Sequence, residues 1–254
     1  MSAPPPREIY TNGYGDAALR FLRRRTLATH GRFVEPLLAP GQHLLDLGCG
    51  PGTLTLELAW RIGSGGRVVG VDRDGDQFHE ARAISDELPV EFRTMDAYRL
   101  DFPGNSFDGV FSHALFEHLA APGDALTEVH RVLKPGGFVA LRSPDWGGFI
   151  VHPSDDAMRA AFAARLDLQT RNGGHVYAGR HLGDWLRQAG FGSIQVSASY
   201  EIYDDKAFIV EHIASQLERD GQQTHGAAWR KWGENPHTLF TQAWFEAIAV
   251  KEKS

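Results

Sequence analysis

At 254 residues, 42% apolar and 23% charged, the chain has the composition of an ordinary globular protein, with room for one large domain and a modest lid. A formal net charge of -6 speaks against general binding to a polyanion such as nucleic acid. Cys49 is the one cysteine, which excludes an internal disulfide and fits a reducing, cytoplasmic setting. The start of the chain, Met1 to Arg7, is Pro-rich and carries no signal-peptide pattern, and no apolar run approaches membrane-spanning length. Integral membrane association is therefore not expected.

In chain order, Asp16 to Leu38 reads as one amphipathic helix with Asp16 as its N-cap and a solvated arginine face at Arg20 and Arg23 to Arg25. Strand-like and helix-like segments then alternate. His43 to Leu47, Arg67 to Asp72, Val90 to Thr94, Phe107 to Phe111 and Phe138 to Arg142 read as strands. Thr53 to Trp60, Asp76 to Glu87 and Pro122 to Leu133 read as helices. This order predicts an α/β fold: a parallel sheet with helices on both faces and right-handed crossovers. After Pro144 the pattern loosens. Helices are expected at Asp155 to Leu168, Gly179 to Gln188, Asp204 to Arg219 and Thr224 to Gly233, with strands at Ile194 to Tyr200 and Gln242 to Val250. The organisation expected is an N-terminal helical cap (1–39), a ligand-binding core (40–145) and acceptor-site elements with the remaining strands (146–254).

The chemistry begins at the end of the first strand, where Gly48, Gly50 and Gly52 precede a helix. Glycine permits a tight turn and lets backbone approach a ligand closely. In open α/β sheets, ligands bind beyond the carboxyl ends of the strands. Asp46 lies just before the first glycine. Asp72 ends the second strand, 24 residues after Gly48, where a carboxylate can accept hydrogen bonds from both ribose hydroxyls of an adenosine. A dinucleotide dehydrogenase shares these features, but its G-x-G-x-x-G pattern needs a third glycine where Thr53 stands. No lysine of the nucleotide-triphosphate loop type follows.

Several segments, in order, resemble the motifs of Rossmann-like (class I) S-adenosylmethionine-dependent methyltransferases. They are Asp46-Leu47-Gly48-Cys49-Gly50-Pro51-Gly52-Thr53, Val69-Gly70-Val71-Asp72, Met95-Asp96-Ala97, Phe107 to Ser112 with Glu117-His118-Leu119, and Leu133-Lys134-Pro135-Gly136-Gly137. The fourth is similar to the ubiquinone/menaquinone-biosynthesis-like branch. The resemblance is close over residues 40 to 145 and looser beyond. It implies a doubly wound, mostly parallel seven-stranded sheet with a helical lid. It also implies S-adenosylmethionine as cofactor and methyl transfer to a small organic acceptor. It places Asp46, Gly48 and Gly50, with Thr53 completing the loop, at the methionine end. Asp72 would hold the ribose, Arg73 would flank the adenine, and Asp96 and the Ala97 backbone would bond it. Ser112 or His113 would contact the cofactor, His118 would border the methionine, and Tyr14 would close over the site.

Methyl transfer from a sulfonium is an in-line displacement, so alignment is much of the work, and a base is needed only when the acceptor loses a proton. The candidates are His118, His113 and Asp145, with Glu117 beside them and His152 and His175 within reach of the less regular section. Trp146, Phe149, Phe162, Tyr177, Trp229 and Trp232 are expected around the acceptor pocket. No metal-ligand spacing is present, and Cys49 reads as a small packed residue. An NAD-dependent oxidoreductase and a non-catalytic S-adenosylmethionine-binding regulator are the competing functions. The late helices could form a lid or a homodimer surface.

Overall fold

A computed structural model of the chain describes residues 8–203 and 205–253. The Pro-rich start and Asp204, the expected first residue of a helix, lie outside the described residues. The parallel core consists of β1 (His43–Leu47), β2 (Arg67–Asp72), β3 (Val90–Thr94), β4 (Phe107–His113) and β5 (Leu133–Pro144) in the order β3-β2-β1-β4-β5. Antiparallel to β5 runs β8 (Leu239–Val250), which also pairs with β7 (Gly192–Ile202) and with β6 (Ile150–His152). The sheet thus has eight described strands where seven are expected. The extra one is β6, three residues long and too short to leave an alternating pattern.

Period-two alternation sorts the strand residues onto two faces. Leu45 and Leu47, Val69 and Val71, Val110, and Val139 and Leu141 pack in one cluster with α5 (Pro122–Val132) and α7 (Ala178–Gln188). Leu44, Val68, Phe111 and Ala140 pack on the other face with α3 (Thr53–Ile62). Asp46 shares the Leu44 face, which points its carboxylate at α3 rather than into the α5 cluster.

The expected helix from Asp16 to Leu38 is broken. It becomes α1 (Asp16–Arg23), α2 (Leu27–His30) and a 3-10 turn at Glu35–Leu37. Thr26 is extended, Gly31 ends the second piece, and Pro36 stands inside the turn. The N-cap of α1 is Gly15, and Asp16 is its first helical residue. Likewise the helix expected at Asp76 to Glu87 shrinks to α4 (His79–Ala83), flanked by Phe78 and Ile84 in non-helical backbone, with Phe78 buried and stacked on Phe92, 5.2 Å away. A separate apolar cluster joins α1 to α6 (Asp156–Arg171), α8 (Ala207–Arg219) and α9 (Gln223–Glu234). These helices form the lid over the carboxyl ends of β4 and β5. Among the described residues, no helix is long and apolar enough to cross a membrane.

Candidate active site

The loop after β1 docks on β2: the Gly48 and Cys49 N–H groups donate to the Val71 carbonyl at 2.7 and 3.0 Å. Gly50 has φ +51° and Gly52 φ +79°. At Gly52 an added Cβ would sit 2.7 Å from the Phe92 ring and 2.8 Å from the Ala81 Cβ, so only glycine fits. At Gly50 the nearest atom is 3.7 Å away, which leaves that backbone open to a ligand. Asp72 fixes the loop from the next strand. Its carboxylate accepts from Gly50 N (2.9 Å), Asp74 N (3.1 Å) and Gln77 Nε2 (3.3 Å). Burial raises the Asp72 pKa. Asp46 accepts from Thr55 Oγ1 at 2.6 Å, and burial pushes its carboxyl up to about 7 against that bond. Burial also raises the Cys49 thiol well above its usual value, so it is a packed group and no ready nucleophile.

These residues line an open cavity of about 890 Å³, counting the space at its mouth. Along the strand ends it runs past Asp46, Gly48, Gly50 and Thr53, then Asp72 and Arg73, then Asp96 and Ala97. His113, His118 and Tyr14 line it as well. The order of these groups fits an elongated ligand with a nucleoside at the Asp72–Asp96 end. Ser112 does not line it. Its hydroxyl donates to the Leu47 carbonyl at 2.7 Å and ties β4 to β1.

Glu8 closes the cavity from the N-terminal side, and no local sequence signal marks it. Its carboxylate accepts from Arg73 Nη1 (3.1 Å), Tyr98 Oη (2.8 Å) and Ala120 N (2.8 Å). Arg73 Nε also donates to the Tyr14 hydroxyl at 3.1 Å. Tyr10 packs at 5.1 Å on Tyr14 and edge-on at 4.8 Å against His118. Burial pushes the Tyr10 phenol up to about 12. Glu8→Gln is expected to loosen this strap, with about tenfold weaker S-adenosylhomocysteine binding in calorimetry. Cleavage near residue 15 in limited proteolysis should also become faster.

The turn after β4 holds Ala114 at φ +56°, a left-handed conformation unusual outside glycine. It presents His113, Ala114 and Leu115 to the cavity. His113 Nε2 is 2.9 Å from Arg142 Nη1, and burial presses its pKa well down. Asp145, a candidate base, is turned away. Arg180 binds it through Nε and Nη2 at 2.6 and 2.7 Å, and it caps the following turn through Gly147 N. Neither cavity described here includes it. His152 and His175 also lie off both cavities, and of the six expected acceptor-pocket aromatics only Trp146 reaches the second one. Phe149, Phe162, Trp229 and Trp232 belong to the lid core, because they pack on each other.

The second cavity, about 410 Å³ counting the space at its mouth, lies under the lid and shares Arg25 and His118 with the first. Glu117, Trp146, Arg165, His212 and Gln216 are among its walls. Asn12 Nδ2 is 3.2 Å from His118 Nε2, while Asn12 Oδ1 accepts from Gln216 Nε2 at 3.0 Å. That orientation makes Nε2 an acceptor and puts the ring proton on Nδ1, which has no partner. Burial presses the His118 pKa down to about 3, so the ring is neutral. Glu117 Oε2 accepts from Ser143 Oγ at 2.9 Å, and burial pushes its carboxyl up to about 7. Among the described residues, no cluster of side chains suits a metal ion.

A methyltransferase-domain family matches residues 45–141. An uncharacterized protein of a Streptomyces fradiae transposon is 34% identical over 83% of this chain and 59% of its own length. An uncharacterized methyltransferase of Schizosaccharomyces pombe is 29% identical over the full length of both chains. A demethylmenaquinone methyltransferase of Symbiobacterium thermophilum is 36% identical over 45% of this chain and 48% of that enzyme. The chain therefore spans less than two thirds of the first and third of these relatives. The solved phosphoethanolamine N-methyltransferase 2 of Haemonchus contortus, in complex with S-adenosylmethionine, superposes with a TM-score of 0.62. It is 19% identical over 94% of this chain and 58% of that one, a likeness of fold.

Proposed function

We propose that the chain is a class I S-adenosylmethionine-dependent methyltransferase, with S-adenosylmethionine as methyl donor, and that it methylates a small organic acceptor held under the lid. The observation that carries this reading is the junction of the two cavities at His118 and Arg25. A ligand along the strand ends meets the second cavity there, which carries both apolar walls and the polar groups of Arg25, Glu117, His118 and Arg165. The chamber is walled in part by the lid helices through Arg165, His212 and Gln216, which favours a small acceptor over a macromolecule. The similarity to a quinone methyltransferase supports the same size class.

Asp72 would hold the ribose, Asp96 and Ala97 the adenine, and Gly48, Gly50 and Asp46 the amino-acid end. The bound donor supplies a methyl already activated by a sulfonium. The chain's own residues then align the acceptor and exclude water. His118 would offer its unpartnered Nδ1 proton to the bound ligands at the junction. Glu117, one residue away and facing the chamber, is the group placed to take a proton from an acceptor that must lose one. Its pKa of about 7 suits that task better than His118, whose protonated form burial disfavours.

Incubation with S-adenosylmethionine carrying a labelled methyl, against hydroxylated and aminated small acceptors, should show transfer and release of S-adenosylhomocysteine. Binding of S-adenosylhomocysteine with no transfer to any acceptor would leave a non-catalytic binding protein instead. Thermal stabilisation by NAD rather than S-adenosylhomocysteine would overturn the cofactor assignment.

A further inference from the structure

We propose that the chamber under the lid selects an acceptor bearing a carboxylate, which Arg165 and Arg25 bind. This rests on the acceptor-site reading above and deepens it.

Arg165 rises from α6 and is only 3% exposed. Its guanidinium lies 4.6 Å over the Trp146 ring, and Nη1 donates to Gln169 Oε1 at 3.0 Å. Its Nε has no hydrogen-bond partner. Among the described residues, no carboxylate forms an ion pair with Arg165 or with Arg25. The nearby acids are engaged elsewhere. Glu246 pairs with Arg142 at 3.2 Å, and Glu201 pairs with Arg24. The remaining carboxylate facing the chamber is Glu117, which accepts from Ser143. His118 and His212 also face it, and burial keeps both rings neutral.

Two guanidinium groups therefore face one carboxylate that is half protonated near neutral pH. A buried cation without a paired anion is strongly unfavourable. Burial accordingly depresses the Arg165 pKa to about 9. An anionic ligand removes that penalty, and the planar fork of a guanidinium matches a carboxylate in two-point geometry. Arg25 stands at the junction with the donor cavity and Arg165 toward the lid. A carboxylate held between them keeps the acceptor in the chamber that His118 also lines. Trp146 and Phe21 supply flat apolar walls on the same chamber.

The test uses the full-length chain titrated in calorimetry, with and without saturating S-adenosylhomocysteine. The probes are formate, benzoate and 4-hydroxybenzoate, set against benzamide and methyl benzoate. The carboxylates are expected to bind and the neutral analogues to bind at least tenfold more weakly. Arg165→Gln should weaken carboxylate binding by about 100-fold while leaving S-adenosylhomocysteine affinity unchanged. Arg25→Gln, a change at a less buried site, serves as the second variant should Arg165→Gln unfold. Equal binding of acids and neutral analogues overturns the proposal, and so does carboxylate binding that survives both substitutions. Loss of S-adenosylhomocysteine binding in the unmodified chain would instead sink the methyltransferase reading. The carboxylate preference is scored in the same titrations without it, so the two fail separately.

Discussion

Asp72→Ala is expected to weaken S-adenosylhomocysteine binding by up to about 100-fold. The carboxylate accepts three hydrogen bonds from the protein, two at Oδ1 and one at Oδ2, and lines the donor cavity, so Oδ2 keeps capacity for a ribose hydroxyl. A hydrogen bond to a charged group contributes about 1.5–3 kcal/mol. Losing one ribose contact of that kind costs about 1.5–3 kcal/mol, or roughly 10- to 100-fold in Kd. The Gly50 N–H is also released, so the loop loses the anchor that sets its shape. The effect on the ligand-free protein should be small by comparison. Because burial raises the Asp72 pKa, its ionised form adds no net stability, and alanine removes that burden along with the three bonds. A large fall in affinity with little change in Tm is therefore the signature of a ligand contact. Asp72→Asn, which keeps one acceptor oxygen, should lose about tenfold. Unchanged calorimetric affinity in the alanine variant would remove Asp72 from the ribose role.

The parts of this site legible in the sequence are those whose geometry is local. Gly48 to Thr53 follows a five-residue strand directly, so turn, strand end and helix start are encoded within one short segment. Asp72 is readable because it ends a β-rich run. The strand faces are readable because Leu44 and Leu45 must point opposite ways. Glu8 is not readable: its partners Arg73, Tyr98 and Ala120 lie 65 to 112 residues away, and only the folded sheet edge assembles them. The same holds for Arg25. Within Arg23-Arg24-Arg25 it looks like part of a solvated face, yet the chain turns extended at Thr26 and carries it between the cavities. Asp145 shows the converse. Its position after β5 suits a ligand contact, and what removes it is Arg180, from a helix 35 residues on. The aromatic residues after Pro144 likewise have no period that distinguishes lid core from ligand wall. Trp146 faces the chamber and Trp229 does not, a difference set by how α6, α8 and α9 pack.

Glu117→Gln separates a chemical role from a structural one, because the two respond oppositely. The Glu117 carboxyl ionises at about 7 in the folded chain against an ordinary 4.5. Between those values the unfolded state has released its proton and the folded state has not. The folded state thus binds more protons, and stability falls as pH rises through this window. Full stability is present below about 4.5, and the loss is complete a little above 7. The shift corresponds to at most about 3 kcal/mol at 1.36 kcal/mol per unit. Glutamine has no such titration. It fills the same volume and still offers an oxygen to the Ser143 hydroxyl. The variant should match the unmodified chain in chemical denaturation at pH 4 and exceed it at pH 8. Activity should move the other way. With an acceptor that must lose a proton, the unmodified chain's kcat should rise with pH through about 7 and level off, since the ionised carboxylate is the base. Glutamine cannot take the proton, so kcat should drop by about 100-fold or more and lose that pH dependence. A more stable but slow variant is the result expected of a buried base. Wild-type kcat with an unchanged pH profile would instead confine Glu117 to the wall of the chamber.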